Sequence, residues 1–149
     1  MKYFLIFLFS SLLLTNCKTQ KPLDVNEYDG PKLIFGTFGG FAGSSNEHTL
    51  LPDGQLLNQS TKARDRRPNG KIDKKVATQM IKNFKTLGFN TLELHDPGNL
   101  TYFIEFSENG EKHKLSWGRG AQKVPAELKT YYQTLYGLVK SLKAPDPKM

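Results

Sequence analysis

Between residues 31 and 143 the hydrophobic pattern switches between two periods, and the switches outline the fold. Lys32 to Phe38 is almost continuously apolar, as expected of a central strand. Glu47–Leu51 and Gln55–Asn58 predict two short strands joined through Pro52-Asp53-Gly54, where proline presets φ and glycine accepts a positive φ. The period then lengthens. Val76, Met80, Phe84 and Leu87 recur at helical spacing, and Lys74, Lys75, Lys82 and Lys85 take the other faces. Asp73 stands at the N-cap position of this helix and Gly88 at its C-terminal stop. Asn90–His95 alternates as a further strand or as an extended lead-in, and Asp96–Asn99 is a turn. Thr101–Ser107 is an aromatic-rich strand, and Asn109-Gly110 is a strong hairpin signal leading into His113–Trp117. Val124-Pro125 opens a last helix whose apolar stripe runs from Leu128 to Leu142. Ser60–Lys71 is polar throughout and is expected to be an exposed loop. Its Asp65 and Asn69 stand four apart, as do Asn69 and Asp73, which does not fit a calcium loop. Strand groups followed by single helices predict an α+β domain over residues 31–143. The expected form is an antiparallel sheet of about four to six strands with two amphipathic helices on one face.

Ahead of this domain the pattern changes character. Tyr3 to Leu14 is an apolar run interrupted only by Ser10 and Ser11. It is too short to span a bilayer, which takes about 20 residues, and it has the length of a signal-peptide core. It ends in Leu14-Thr15-Asn16-Cys17, and Cys17 is the only cysteine in 149 residues. This run resembles the lipobox of bacterial lipoproteins. The resemblance implies a signal peptide over residues 1–16, cleavage before Cys17, and acylation of the Cys17 thiol and amine. Each buried CH₂ contributes about 0.8 kcal/mol, so two or more acyl chains anchor a protein stably where one does not. Lys18 after the cysteine, with no aspartate, implies by the same resemblance the outer membrane of a bacterial cell envelope. Residues 17–30 are expected to be a flexible tether and residues 144–149 a disordered tail.

Composition adds less. The chain is 38% apolar and 23% charged, within the range of a globular domain. Its formal charge is +7, and loss of residues 1–16 would leave +6, since only Lys2 goes with them. Such a charge can serve an anionic partner, but no aromatic-interleaved basic strand and no recognition helix is present, so nucleic acid is not an expected partner. With no second cysteine, stability rests on core burial and hydrogen bonds.

Chemical motifs are sparse. There is no Gly-x-Ser-x-Gly elbow, phosphate loop, dinucleotide fingerprint or His-Glu-x-x-His helix, and no mature-domain cysteine nucleophile. The expectation is a protein that is not an enzyme and carries no cofactor or metal. A small-molecule or metal site near His95, His113 and Trp117 is the alternative, although zinc ordinarily takes three or four protein ligands. The distinctive stretch is Phe38-Gly39-Gly40-Phe41-Ala42-Gly43, directly after the first strand. Glycines there allow a tight connection, and the interleaved aromatics suit a surface offered to a partner.

A strand into Gly39-Gly40-Phe41-Ala42-Gly43, a mid-chain helix, an aromatic strand from Asn99 to Phe106, a hairpin, and a last helix opened by Val124-Pro125-Ala126-Glu127-Leu128 together resemble emfourin. Emfourin is a small inhibitor of thermolysin-like metalloproteases. The likeness spans about Leu33 to Leu142 and implies a protein-binding domain with a protease as partner. The expected role is therefore a lipid-anchored envelope lipoprotein that binds a protein partner through the loop residues Gly39, Gly40, Phe41, Ala42 and Gly43. A structural lipoprotein without a discrete ligand is the plainer alternative.

Overall fold

The computed structural model describes residues 24–25, 27–61 and 63–143. Cys17, the leader, the first part of the expected tether and the tail 144–149 lie outside the described residues.

Strand β1 (Lys32–Gly39) is the centre of a seven-stranded sheet. It pairs on one side with β2 (Ser44–Leu50) and on the other with β6 (Leu100–Glu108). The order is completed by β3 (Gln55–Ser60), β4 (Ala63–Lys71), β5 (His95–Asp96) and β7 (Glu111–Gly118), and reads β4-β3-β2-β1-β6-β7-β5. Pairing is antiparallel except between β5 and β7.

The strand count exceeds the expected four to six because of β4, and one further segment differs from expectation. The polar stretch expected as a loop contains β4, an edge strand that needs no apolar alternation because only one of its sides pairs. It carries Pro68, and its register with β3 slips between Leu56 and Leu57 and between Asn58 and Ser60. Proline is tolerated at such edges and bulges. Asn90–His95 is not one strand, and its latter part is the extended lead-in to β5. Phe89–Thr91 forms a 3₁₀ turn that buries Phe89, and only His95 and Asp96 reach the sheet.

Helix α1 (Lys74–Thr86) starts where Asp73 caps it, the carboxylate accepting from the Lys75 and Val76 amides at 2.8 and 3.1 Å. It ends at Gly88, with φ of 76°. Its buried face is Ala77, Met80, Ile81 and Phe84. The expected stripe shared Met80 and Phe84 with this face, but Val76 and Leu87 are 42% and 50% exposed. Rolling the helix toward Ala77 brings its backbone closer to the sheet and buries Ile81 as well. Helix α2 (Ala126–Lys143) buries Leu128, Tyr131, Tyr132, Leu135 and Val139. Both helices join one apolar cluster with Leu33, Phe35, Leu50, Leu56, Ile104 and Leu115, so they cover the same face of the sheet.

Two tyrosine hydroxyls tie this layer together. Tyr131 donates to the Met80 carbonyl at 2.6 Å, and Tyr132 donates to the Gly36 carbonyl at 2.9 Å. Burial raises the pKa of both phenols above the ordinary 10.0. As pH climbs through 10.0, tyrosines of the unfolded chain ionise while these stay protonated. The unfolded state then binds fewer protons, so stability falls with rising pH. The urea midpoint should therefore drop between about pH 9 and about pH 11, and Tyr131→Phe should make that drop shallower. An unchanged profile in the variant would remove Tyr131 as a cause.

On the opposite face, part of the expected tether is structured. Val25 is buried, and Tyr28 packs with it against Leu51 and Leu57, which turn away from the helices. The Asp29 carbonyl accepts from the Asn109 amide at 2.6 Å, and the Tyr28 carbonyl accepts from the Lys32 ammonium at 2.6 Å. Two apolar residues in a polar stretch suffice here because, among the described residues, no helix covers Leu51 and Leu57.

Candidate functional site

The β1–β2 hairpin closes through Gly40–Gly43, and its backbone accounts for the glycines. Gly39, Gly40 and Gly43 have φ of 92°, 78° and 55°, values side chains disfavour. A Cβ on Gly39 would also strike the Asn99 carbonyl. The Gly40 amide donates to that same carbonyl at 2.6 Å, and the Gly43 amide donates back to Gly40 at 3.0 Å. The tip is thus fixed to the turn before β6. None of this geometry calls for an aromatic side chain, yet Phe41 stands in the middle of it with a relative exposure of 108%. Ala42 and Gly43 beside it are also exposed. Phe38 behaves differently. It lies on the face opposite α1 and α2, 5.8 Å from the Phe103 ring, with the Lys114 ammonium 5.4 Å from its own centroid and 4.4 Å from that of Phe103.

A groove of about 1010 Å³ opens at the same end, between residues 93–100 and 118–123. Its floor depends on two glycines crossing backbone to backbone. A Cβ on Gly118 would lie 2.8 Å from the Gly98 nitrogen. The Thr101 hydroxyl holds the crossing strap, accepting from the Gly98 amide at 3.1 Å and donating to the Gly98 carbonyl at 2.9 Å. The Arg119 amide donates to the Leu100 carbonyl at 3.1 Å. Glu93 and Asp96 on one wall and Arg119 and Lys123 on the other are all exposed. Asn99 and Leu100 connect groove and tip, since both adjoin Gly40. Reading the chain alone singled out the tip and missed the groove. The available signal was the glycine set Gly98, Gly118 and Gly120, whose meaning depends on residues twenty apart meeting.

The histidines do not assemble into the alternative site. His95 shares a 2.7 Å hydrogen bond with the Ser116 hydroxyl. That is the spacing of an activated nucleophile, but Ser116 has no exposed surface, so the bond docks β5 on β7. His113 bonds the Leu92 carbonyl at 3.0 Å beside Phe84. Trp117 is buried between Tyr102 and Tyr132, with ring centroids 6.1 and 5.3 Å away. Alternation along β7 puts Ser116, His95's partner, on the other face from His113 and Trp117. Among the described residues, no group of three or more His, Cys, Asp or Glu side chains could hold a metal ion.

His48 is a finding of the tertiary structure. It is entirely buried, 5.5 Å from the Phe35 ring and 5.6 Å from Tyr136. The Asn58 amide nitrogen lies 3.2 Å from its Nδ1 and the Asn46 amide nitrogen 3.4 Å from its Nε2, while Asn58 also donates to Asn46 at 2.7 Å. This polar knot sits under α2, closed to solvent at His48, and it fixes the register of β2 on β3.

No protein-family model and no curated protein matches this chain.

Proposed function

We propose that this chain is a lipid-anchored envelope protein that captures a protein partner with the Gly39–Gly43 hairpin tip, and that a thermolysin-like metalloprotease is the partner class to test first. The observation that carries the reading is the full exposure of Phe41 on a tip whose backbone is already fixed. An aromatic side chain held out in water gains the most when a partner's pocket covers it. Because Gly40 is bonded to Asn99 before any partner arrives, little ordering is lost on docking. The groove, joined to the tip through Asn99 and Leu100, adds polar walls of both signs to one side of this anchor.

The polarity of the domain supports the same reading. Asp29 bonds the hairpin at Asn109, and Lys32 opens β1 opposite Ser107, while the Gly40–Gly43 tip follows the far end of β1. At about 3.3 Å per residue, the eight residues of β1 put the tip roughly 23 Å from the point where the N-terminal segment joins the sheet. A tether to acylated Cys17 would leave the tip clear of its own attachment.

The test uses residues 17–149 with Cys17→Ser, which retain every described residue, in a peptide-hydrolysis assay with a purified thermolysin-type protease. Dose-dependent inhibition is expected. Full protease activity at high micromolar domain would sink the inhibitor reading. A mass increase on Cys17 in protein purified from membranes reports the anchor separately.

A further inference from the structure

We infer that the groove beside the hairpin tip receives an extended segment of the captured protein, added as a short strand to the open edge of β5. The inference rests on the capture reading for the partner being a protein, and on the β5 edge for how that protein is held. Strand β5 is an outer strand, and among the described residues no strand lies beyond it. It runs parallel to β7 with His95 opposite Ser116 and Asp96 opposite Trp117, and the Ser116 amide donates to the Leu94 carbonyl at 2.9 Å. In such a ladder alternate residues turn their peptide groups toward the neighbour, so Leu94 and Asp96 face β7. The N–H and C=O of His95 therefore point away from the sheet. Residues 95–99 are all exposed. A main-chain donor and acceptor on one exposed edge residue are what an added strand pairs with.

The two edges of the sheet are not equivalent. Strand β4 contains Pro68 and its register with β3 slips twice, features that blunt an edge against added strands. Leu142 of α2 also lies against Gly70 of that strand. Strand β5 is short, but it is held in place. The His95 side chain is bonded to the Ser116 hydroxyl at 2.7 Å, and the Thr101 hydroxyl bonds both peptide groups of Gly98 in the strap that follows. The edge is thus formed before a partner arrives, and docking orders little of it. Pro97 has no N–H to offer, so the added ladder is short and side chains do most of the selecting. Glu93 and Asp96 stand on the β5 side of the groove and Arg119 and Lys123 on the other. Among the described residues the ion pairs lie elsewhere, so the two walls do not neutralise each other. The occupant they fit is a segment with both a basic and an acidic side chain. The wall from Glu93 to Gly98 spans at most about 22 Å, which sets the reach of that segment.

The test is selection of random linear peptides, displayed on phage and about twice the length of that wall, on residues 17–149 carrying Cys17→Ser. Enriched peptides should carry charges of both signs. Titrated as synthetic peptides, they should shift the amide NMR signals of residues 93–98, and the His95 amide should exchange with solvent about tenfold more slowly when they are bound. His95→Pro removes the outward N–H and should weaken binding about tenfold or more. His95→Ala loses the Ser116 bond but keeps that N–H, and should bind within about threefold of the parent. Thermal melts show that both variants are folded, and the exchange of the His95 amide in the parent protein stands if the proline variant is not. No enrichment, or enriched peptides that leave residues 93–98 unshifted, would overturn the inference. So would equal weakening by alanine and proline at position 95, or peptides of one charge sign only. Phe41→Ala should leave peptide binding unchanged. The selection uses no protease, so its failure and a failure of the hairpin tip to inhibit one are read separately.

Discussion

Phe41→Ala is expected to weaken partner binding by about 30-fold or more, the range of a central aromatic hot spot, while leaving the fold intact. The two halves of this expectation have separate causes. The side chain touches solvent all round, so its removal takes no apolar contact from the core and should leave the urea midpoint and the melting temperature where they were. The backbone of the tip does not depend on it either, because the bonds from Gly40 to Asn99 and from Gly43 to Gly40 are made by main-chain atoms. Whatever Phe41 contributes must then come from a surface outside the domain. The measurement is the inhibition constant against a thermolysin-type protease, beside thermal melts of both proteins. Undiminished inhibition by a well-folded variant would move the contact away from the tip. Gly40→Val gives an independent reading, because a side chain at φ of 78° strains the tip itself.

Phe84→Ala is expected to destabilise the domain by about 3–5 kcal/mol, a large share of what a domain of this size has. Phe84 is fully buried where α1, α2 and the sheet meet. Its ring stacks on Phe106 at 5.5 Å and 11°, meets Phe89 edge-on at 5.9 Å and lies 6.4 Å from Tyr131. Alanine would leave a cavity walled by rigid rings from separate elements, which cannot close together. The urea midpoint should fall with little change in slope. Val76→Ala on the same helix is the control. Val76 is exposed, and alanine is the better helix former, so the change should stay within about 0.5 kcal/mol. A large loss at Val76 would restore the stripe expected from periodicity and contradict the observed roll of α1.

Those two positions show why some features of this chain are legible without a structure. Asp73 capping α1, Gly88 ending it, and Asn109-Gly110 turning with φ of 53° and 79° are settled by atoms a few residues apart. Local chemistry suffices for them. The stripe through Met80 and Phe84 likewise announced a helix, but its rotation by one position was decided by Ala77 lying against the sheet. Strand β4 left no periodic signal because an edge strand can be polar and bulged and still pair on one side. Val25 and Tyr28 were hidden in a polar stretch, since two residues make no period, and their burial requires Leu51 and Leu57 on the face opposite α1 and α2.

The hairpin tip divides along the same line. Gly39, Gly40 and Gly43 were marked by sequence alone as a special backbone, and their positive φ values follow from that composition. Whether Phe41 turned inward or outward could not follow from it, because exposure is set by what the rest of the chain leaves uncovered. The groove beside it exists only because Gly98 and Gly118, twenty residues apart, cross at van der Waals distance. Sequence by itself determined both helices, most of the strands, and their turns and caps, which depend on short-range backbone preferences. The tertiary structure decided which side chains were buried, which strands took the outer places of the sheet, and which aromatic remained in water, because each of those is a property of contacts between distant segments.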